Sequence, residues 1–445
     1  MHIFKRIFNN KRLSINKFIA LVGFCAFLLL VYQYDFYRET TGLSQDSRKN
    51  SKFNVWNSFP EVQLHREVIN SFYEKRQTWR TSNLGSVLFK NVESDAFIKE
   101  YNKNRTFVIL IWKYWDWLQN RHLYSFGTTR VDVSLVGCSV KNCRFTKNEQ
   151  DLKIADAVVV HLQHGQFPDS RKRTSHQKWV FLSDESPRNT FSLAKRQPKL
   201  QELSQVFNWS MTYRSDSDVP VPYGRTQPLP EALSVELTKK TTIDLIPNWN
   251  KKRRDVLAAI LISNCAVSHR MAYIKELRKH LDVDVHGRCS ENLKNSCPGH
   301  FRSDCPIISE YLFYLVLENS MCREYLTEKA FYHAYYKGAI PVIMGPSIED
   351  CEQLLPPNSF LHVDNYATPR DLAEEITRLS NDIPRLLTFH EWRRHFEILN
   401  EHGYFGSKSR HYCRLCEALN YNDAAVKVYD EDDLKNFLDP SLVCR

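Results

Sequence analysis

The chain lacks the features of fibrous and disordered proteins. Its 445 residues include only 13 glycines and 18 prolines, and they contain no internal repeat and no low-complexity tract. Apolar residues make up 42% and charged residues 25%, with 26 Phe, 21 Tyr and 9 Trp. This composition excludes a collagen-like chain, a coiled coil and wholesale disorder, and it predicts an aromatic-rich globular protein of about two or three domains.

An uninterrupted apolar run of about twenty residues is also absent. The longest run, Phe18 to Tyr32, has fifteen residues and extends to Tyr34 through one glutamine. Five lysines and arginines and no acidic residue precede it, and no small-x-small cleavage site follows it. These features predict an uncleaved signal anchor at 18–34, a cytoplasmic tail at 1–17 and a lumenal body. A cleaved signal peptide is the alternative, and it gives the same lumenal body.

Acidic residues are outnumbered by basic ones. The sequence has 61 Lys and Arg against 51 Asp and Glu, which gives a formal net charge of +10. A positive surface suits an anionic ligand such as a phosphate, a nucleotide or a membrane headgroup. Charge alone does not choose among these ligands.

Cysteines are dense in the part of the chain that follows the apolar run. Eleven of the twelve cysteines lie there, which indicates disulfide bonds in an oxidising compartment and leaves one cysteine free or in an intermolecular bond. Cys138, Cys143, Cys413 and Cys416 form a possible four-cysteine zinc site. An oxidising lumen instead favours disulfides that join the far end of the chain to its first folded segment.

Two glycosylation sequons agree with a lumenal body. They begin at Asn104 (Asn-Arg-Thr) and at Asn208 (Asn-Trp-Ser). Each is a weak signal alone because such triplets are common. Together with the cysteines they indicate passage through the secretory pathway.

Composition divides the body of the chain into segments. From Asp35 to about Asn104 the sequence is polar and lacks long apolar runs, apart from a possible amphipathic piece around Val62 to Arg76. This composition is typical of a stem. A proline-containing stretch from Pro222 to Arg254 predicts an interdomain linker. The predicted segments are therefore a stem at 35–104, an N-terminal α/β domain at 105–240, a C-terminal Rossmann-like domain at 253–395, and a closing segment at 396–445 that returns to the N-terminal domain.

Continuous apolar strands alternate with helices in both domains. The first domain has β-rich runs of the kind found in sheets covered on both faces, at 106–112, 155–162 and 178–186. The second domain reads as two βαβ units, with strands at 255–263, 283–287, 311–318 and 339–345 and helices at 267–281 and 324–337. This pattern predicts an α/β fold in which two Rossmann-like domains face each other across a cleft, with ligand at the carboxyl ends of the strands.

Charged side chains follow several of these strands. Glu185 ends a strand of the first domain, where a carboxylate that faces the cleft can accept a proton from a hydroxyl. Arg270 lies in the first turn of a helix, where a cation is favourable only if it faces an anion. Tyr325, Glu328 and Lys329 share one face of a helix whose N-terminus favours an anion such as a diphosphate. Each of these residues could equally be a solvent-exposed side chain without a functional role, and the sequence pattern alone does not distinguish the two interpretations.

Two patterns suggest metal binding, but a structural role is favoured for both. Asp216 with Asp218, and Asp282 with Asp284, match the short Asp-x-Asp pattern of some Mn²⁺ sites at nucleotide diphosphates. The histidines of HLQH, His161 and His164, have no third ligand of matching spacing nearby. We therefore predict no resident metal.

Several segments resemble the α1,3-fucosyltransferase family, in the same order along the chain. The longest is FYLVLENSMCREYLTEKAFYHAYYKGAIPVIMGPS, from Phe313 to Ser347. The others are SNCAVSHRMAYIKELRKHLDVDVHGRC at 263–289, ESP at 185–187, FNWSMTYRSDSDVPVPYG at 207–224, LLPPNSFLHVDNY at 354–366 and YCRLC at 412–416. The resemblance extends from Cys138 to Leu419 and is highly specific because independent motifs agree in order.

The resemblance implies a type II Golgi membrane enzyme of the GT-B type, which transfers L-fucose with inversion from GDP-fucose to the 3-hydroxyl of an N-acetylglucosamine in a glycan. The N-terminal domain would face the acceptor and the C-terminal domain would bind the donor. Matching positions imply Glu185 as the general base and, as contacts of GDP-fucose, Arg270, Asn319, Tyr325, Glu328 and Lys329. No cofactor beyond the donor is required, a divalent cation such as Mn²⁺ could stimulate the reaction, and no nucleic acid is expected as a partner.

The sequence departs from the family pattern at two positions. Leu312 stands where members usually have lysine, and Leu317 stands where they usually have phenylalanine. We expect the missing lysine to remove a charge near the donor. This leaves an alternative, a catalytically silent Golgi glycan-binding or partner protein, although the retained acids and cations argue against it. The acceptor, a core N-glycan or a Lewis-type lactosamine, stays open.

Overall fold

The computed structural model describes residues 60–90, 101–127, 131–291, 297, 303–423, 425 and 427–445. The predicted cytoplasmic tail and the predicted anchor at 18–34 lie outside the described residues. Among the residues that are described, no helix has both the length and the apolar character needed to cross a bilayer.

The first half of the protein is built on a five-stranded parallel sheet. Its strand order is β2-β1-β3-β4-β5. The strands are β1 (Phe107–Trp112), β2 (Cys143–Thr146), β3 (Ala157–His161), β4 (Lys178–Ser183) and β5 (Trp209–Thr212). Alternate residues of β1 enter different cores, with Ile109 and Ile111 on one face and Leu110 on the other. Both faces are therefore covered, as the continuous apolar runs predicted.

The second half contains another five-stranded parallel sheet, of order β11-β10-β9-β7-β8. Its strands are β7 (Ala258–Leu261), β8 (Val283–His286), β9 (Phe313–Leu317), β10 (Ile340–Met344) and β11 (Leu361–His362). Gly338, just before β10, has a φ of 73°, which is the left-handed conformation predicted for the end of the preceding helix. The two βαβ units predicted for this half are present.

Helices cover both sheets. Thr368 caps one of them through a reciprocal capping box with Asp371, as its sequence predicted. In chain order the helices are α1 (Pro60–Glu74), α2 (Asn83–Phe89), α3 (Asp116–His122), α4 (Glu231–Thr238), α5 (Ser268–Leu277), α6 (Ile348–Leu354), α7 (Pro369–Asn381), α8 (Ile383–Thr388), α9 (His411–Tyr421), α10 (Glu431–Leu438) and α11 (Pro440–Val443). A π-helix, Lys329–Tyr336, lies between β9 and β10.

The predicted stem is wrong for its second part. Leu84, Leu88 and Phe89 of α2 are buried in a core of the first sheet. In α1, Ile69 and Phe72 are buried against the second half of the molecule. The segment 60–90 therefore belongs to the folded body. The sequence pattern did not predict this, because each short amphipathic helix contributes only a few apolar residues to a core that is built mainly by other segments of the chain.

The predicted linker at 222–254 is also wrong. It contains α4 and a strand, β6 (Gly224–Pro228), which pairs antiparallel with β12 (Phe396–Asn400). Arg225 on β6 forms a buried ion pair with Glu401, with a nitrogen–oxygen distance of 2.9 Å. The prolines that suggested a linker lie at the boundaries of elements, where proline is well tolerated: Pro228 ends β6 and Pro230 precedes α4.

The closing segment packs on the first half. Helix α9 buries Tyr412 and Leu415 on one face of the first sheet, and α10 buries Leu434 and Leu438 on the other. Disulfides join Cys138 to Cys413 and Cys143 to Cys416, pairs that are 275 and 273 residues apart in the chain. The other pairs are Cys265–Cys289, Cys297–Cys305 and Cys322–Cys444, and Cys351 is the free cysteine of the described residues.

The two sequons differ in accessibility. Asn104 is exposed just before β1. Asn208 is 0% exposed, its Nδ2 donates to the carbonyl of Lys427 at 2.7 Å, and its Oδ1 accepts from the Trp179 amide at 2.9 Å. A buried amide with both ends hydrogen-bonded has no room for a glycan, so the predicted glycosylation of Asn208 is wrong and that of Asn104 stays a prediction.

Candidate functional site

A cavity of about 500 Å³ lies where the carboxyl ends of the two sheets meet. Glu185 reaches it from the end of β4 in the first sheet. The second sheet contributes Asn264 after β7, Gly287 after β8 and Asn319 after β9. Carboxyl ends of parallel strands are the usual ligand sites of such sheets, so this cavity is the candidate active site.

Gly287 is required by the close approach of two backbone segments at the cavity wall. Its φ is 88°, and a Cβ atom at this position would lie 2.5 Å from the carbonyl oxygen of Ile262. Only glycine satisfies both constraints without a shift of the chain. The loop after β8 therefore lies close to the loop after β7.

Glu185 is half-buried at the cavity and is held by two side chains of the second half. The Tyr325 hydroxyl donates to Glu185 Oε2 at 3.1 Å, and Asn319 Nδ2 lies 3.5 Å from the same oxygen. Burial and the neighbouring Asp184 raise the pKa of Glu185, although the charge of Lys329 and these hydrogen bonds oppose the rise. A carboxylate of raised pKa at a cavity is suited to accept a proton from a bound hydroxyl.

Arg270 forms part of the opposite wall. It lies in the first turn of α5 and is 3% exposed. Its Nη1 donates to the carbonyl of Leu317 at 3.2 Å and its Nη2 to the carbonyl of Asn264 at 2.6 Å. Burial lowers the pKa of Arg270, and its Nε has no hydrogen-bond partner among the described residues. A buried guanidinium with an unused donor at a cavity is suited to bind an anion.

Lys329 is paired with an acid that the sequence analysis missed. Its Nζ contacts Glu318 Oε2 at 2.9 Å and Thr327 Oγ1 at 2.9 Å, and Glu328 Oε1 lies 3.6 Å away. Burial alone would lower the pKa of Lys329, but the two carboxylates outweigh it and raise the pKa. An ammonium has three donors, so one is left for a ligand in the cavity. Glu318 had a sequence signal, since it directly follows β9.

The predicted helix at 324–337 begins later than expected and is not an α-helix. Glu324 has a φ of 56° and its carboxylate accepts from the Ser215 amide at 2.7 Å. Tyr325 therefore precedes the helix, and it does not share a helical face with Glu328 and Lys329 as predicted. Glu328, the N-cap of the π-helix, and Lys329, its first residue, nevertheless both line the cavity, which Tyr325 also lines. π-Helical turns often occur at functional sites because they displace side chains from the regular register.

The two cations converge at one place. Arg270 contacts Leu317, the last residue of β9, and Lys329 contacts Glu318, the next residue. Both side chains line the cavity together with Glu185, Asn319, Tyr325 and Glu328. All six predicted site residues therefore share one cavity, with two cations on one side and the half-buried carboxylate of Glu185 on the other.

Three of the four Asp-x-Asp carboxylates have structural partners, and Asp282 is exposed. Asp216 pairs with Arg214, and Asp218 accepts from Ser210 and from the Tyr429 hydroxyl at 2.7 Å. Asp284 pairs with Arg253 at 2.8 Å, and neither aspartate pair lines the cavity. The three partnered carboxylates are committed to the fold, which agrees with the structural role favoured for them.

Comparisons with protein families match both halves. The family described as "Glycosyltransferase family 10 (fucosyltransferase) C-term" matches residues 249–436, and "Fucosyltransferase, N-terminal" matches residues 104–224. The chain belongs to the family 10 fucosyltransferases. The resemblance inferred from the motifs is thereby confirmed, and the protein is an enzyme, a glycosyltransferase.

Curated relatives cover most of this fucosyltransferase. The 3-galactosyl-N-acetylglucosaminide 4-alpha-L-fucosyltransferase FUT3 of Bos taurus is 34% identical over 303 residues, 64% of this chain and 74% of the relative. The 4-galactosyl-N-acetylglucosaminide 3-alpha-L-fucosyltransferase FUT6 of Pan troglodytes is 33% identical over 312 residues, 68% and 77% of the two chains. A crystal structure of an alpha1,3-fucosyltransferase with GDP-fucose aligns with 77% of this chain and 98% of its own at 18% identity, with a TM-score of 0.43.

Leu312, one of the two departures of this fucosyltransferase from the family pattern, lies away from the cavity. Leu312 precedes β9 and is 2% exposed in the core of the second sheet. It lies at the amino end of the strand, whereas the cavity lies at the carboxyl end, roughly 17 Å along five residues of a strand. The side chain of Leu317 is buried in the same core. The expectation that leucine at position 312 removes a charge near the donor is therefore wrong.

Proposed function

We propose that this fucosyltransferase transfers L-fucose with inversion from GDP-fucose to the 3-hydroxyl of an N-acetylglucosamine in a glycan. One observation carries the proposal: Glu185 from the first sheet and two cations from the second, Arg270 and Lys329, line the same cavity. We also propose that the halves act as two Rossmann-like domains of the GT-B type, with the acceptor on the first and the donor on the second. The relatives are named as enzymes, and nothing favours the catalytically silent alternative.

The donor side of the proposed site offers positive charge to a diphosphate. Arg270 has an unpartnered Nε, and Lys329 has one unused N–H. As the sugar leaves, negative charge grows on the departing diphosphate, and cations held in place stabilise this charge more than that of the bound donor. Glu328 and Asn319 supply acceptors for ribose or sugar hydroxyls, and the Oδ1 of Asn319 has no partner among the described residues.

The acceptor side offers a base. In the proposed step the oxygen of the acceptor hydroxyl forms a bond to the anomeric carbon of fucose, the bond from that carbon to the diphosphate breaks, and the hydroxyl proton passes to Glu185. The Tyr325 hydroxyl, which donates to Glu185, fixes one carboxylate oxygen and leaves the other for the proton. A single displacement inverts the anomeric configuration.

The acceptor and the compartment belong to the proposal as well. The two named relatives act on galactosyl-N-acetylglucosaminides, one at the 4-position and one at the 3-position. We propose a lactosamine or a core N-glycan as the acceptor class, in the Golgi lumen, with a single-pass type II membrane anchor. The apolar run at 18–34 and five disulfides support this location. Stimulation by a divalent cation such as Mn²⁺ stays a prediction.

A defined glycan panel tests the proposal. The full-length protein is incubated with GDP-fucose and with core N-glycans, type 1 and type 2 lactosamines, with and without EDTA, and products are identified by linkage analysis. We expect α-linked fucose at the 3-position of N-acetylglucosamine on at least one acceptor. Binding of GDP-fucose and of glycans without turnover on any acceptor would contradict the proposal and favour a silent binding protein.

A further inference from the structure

A buried charged cluster lies directly beside the proposed base in the chain. The Asp184 carboxylate, whose side chain is 3% exposed, contacts Arg121 Nη1 at 2.7 Å and His411 Nε2 at 3.0 Å. The Nε2 atoms of His161 and His402 lie 3.6 and 3.8 Å from the same carboxylate. Arg121 belongs to α3 and His411 begins α9, so the cluster joins two helices to the carboxyl end of β4.

The backbone of Asp184 is held as firmly as its side chain. The Tyr223 hydroxyl donates to the Asp184 carbonyl at 2.8 Å. The Tyr223 ring stacks on His402 with 3.4 Å between centroids, and the His402 carbonyl accepts from Arg121 Nε at 3.1 Å. The peptide that precedes Glu185 therefore cannot turn without breaking several buried hydrogen bonds. Tyr223 also lines the cavity, so the cluster reaches the site itself.

Asp184 is held in its charged form within this cluster. Burial alone would raise the pKa of Asp184, but the charge of Arg121, the neighbouring His161 ring and the hydrogen bond with His411 outweigh it and hold the pKa well below its usual range. Asp184 in turn raises the pKa of Arg121 against the effect of burial. Burial lowers the pKa of His411 to about 4 and that of His402 well below its usual range, so both rings are neutral near pH 7.

The groups that face Glu185 come from both halves. Lys329 and Tyr325 belong to the second half, and Asp184 directly precedes Glu185 in the chain, just after β4. Tyr213, Tyr223 and Tyr404 also face it, and burial raises the pKa of each of these tyrosines, so they are uncharged. The charges that act most strongly on Glu185 are therefore those of Asp184 and Lys329, of opposite sign.

We propose that Arg121, Asp184 and His411 form a positioning triad for Glu185, which holds this carboxylate toward the acceptor hydroxyl and places a fixed negative charge behind it. The inference rests on the proposed function, since it concerns the base of that reaction. None of its three residues is among those that line the cavity, so the triad acts through Glu185. The triad is separate from the residues that bond directly to the Glu185 carboxylate, which are Tyr325 and Asn319 of the second half.

A metal ion is a poorer interpretation of the same side chains. His122, Asp184 and His411 offer ligand atoms that lie within 4.8 Å of one another. The guanidinium of Arg121 already contacts the carboxylate oxygen that His411 contacts, at 2.7 Å, and it would repel a cation bound there. The carboxylate is therefore assigned to the ion pair.

The pH profile of kcat/KM of the Asp184→Asn variant tests the triad. Removing a negative charge next to Glu185 makes its protonation less favourable, so we expect the acidic limb to move about 1 pH unit lower. We expect kcat on the plateau to fall about tenfold, because a weaker and less well oriented base removes the proton more slowly. The KM for GDP-fucose should stay within about twofold, since no donor contact changes. An acidic limb that stays in place would overturn the proposal.

Three matched variants separate the triad from other causes. Asp218→Asn removes another partly buried acid of the first half, bonded to Ser210 and Tyr429, and should leave the acidic limb in place. His161→Gln removes an imidazole that lies 3.6 Å from the same carboxylate, and it should also leave the limb in place. If the limb moves with His161 and not with Asp184, the proposal is overturned. His411→Phe keeps the ion pair and the ring stack on His122 but loses a hydrogen bond, so kcat should fall about threefold with an unmoved limb.

A double variant covers the case in which an unpaired Arg121 prevents folding. Arg121→Met/Asp184→Asn removes both charges. A downward shift of the acidic limb is still expected, although a smaller one, because the charge of Asp184 is the one that acts strongly on Glu185 and the loss of Arg121 opposes only part of its removal. Full kcat in His411→Phe together with an unmoved limb in the double variant refutes the triad. Glu185→Gln shows whether such a refutation reaches the proposed function as well. If the triad is refuted and Glu185→Gln retains turnover, the proposed base is also wrong. If the triad is refuted and Glu185→Gln is inactive, only the triad is wrong.

Discussion

Replacing Lys329 by methionine should damage folding and donor binding, and the two effects can be separated. Lys329 Nζ lies 2.9 Å from Glu318 Oε2, and the side chain of Glu318 is 0% exposed. Removal of one partner of a buried ion pair costs about 3 kcal/mol, at the low end of the range because Thr327 still donates two hydrogen bonds to the carboxylate. At about 2 °C per kcal/mol, Tm should fall by about 6 °C.

The double variant Glu318→Gln/Lys329→Met isolates the contribution to binding. Glutamine keeps the shape of Glu318 and its hydrogen bond from the Thr327 amide, and it leaves no unpaired buried charge. Thermal unfolding should recover to within about 2 °C of the unmodified protein. The affinity for GDP-fucose, measured by titration calorimetry, should stay at least about tenfold weaker in both variants, because a charge-assisted contact to the diphosphate is missing.

Two results would contradict the proposed roles of Lys329 in folding and in donor binding. If the double variant regains both Tm and the affinity for GDP-fucose, Lys329 is only the structural partner of Glu318 and does not contact the donor. If the single variant keeps both, the buried pair has neither role. Lys435→Met is a suitable control, since this lysine pairs with exposed acids on α10 and should change neither quantity.

Two further predictions follow from the site and from the sequons. Arg270→Lys keeps the charge but cannot keep two backbone contacts and a free donor, so GDP-fucose should bind about tenfold more weakly by calorimetry, and unchanged affinity would remove Arg270 from the donor site. Asn104→Gln should abolish one glycan, seen as faster migration on a denaturing gel, whereas Asn208→Gln should leave migration unchanged and lower Tm. Loss of a glycan from Asn208→Gln would contradict its buried position.

The sequence predicted the parts of the fold that depend on local pattern. Continuous apolar runs gave both parallel sheets, and Thr368 with Asp371 marked the start of α7. Residues at the carboxyl ends of strands were predicted to meet, and Glu185 and Asn319 do so with a distance of 3.5 Å between their side chains. This success has a topological reason: the carboxyl ends of the strands lie at one edge of each parallel sheet, and these two edges meet at the cavity.

Tertiary packing determined what the sequence did not show. The left-handed Glu324, just before the π-helix, bonds to Ser215, which lies 109 residues away in the chain and which no local pattern connects to it. The same holds for β6, whose partner β12 lies far along the chain, and for α1 and α2, which fill cores built by other segments. Asn208 matches a surface motif, but its burial follows from a hydrogen bond to Lys427 that no local pattern reveals.

The contacts of Asp184, beside the candidate active site, were likewise not predictable from the local sequence pattern. In the sequence it is an acid beside another acid, and only the fold brings Arg121 and His411 to it. The distances along the chain are large because α3 and α9 belong to different segments. A pairing of this kind becomes visible only when the helices that cover the sheet are in place.

The most direct test of the account compares Glu185→Gln with the unmodified protein in two assays, fucose transfer to a glycan acceptor and binding of GDP-fucose. The account predicts that transfer falls by about 10² to 10⁴, the contribution of a general base, while the Kd of GDP-fucose changes by less than about twofold. Full transfer by this variant, or loss of donor binding in parallel with transfer, would contradict the role of Glu185 as the base that faces two donor-binding cations.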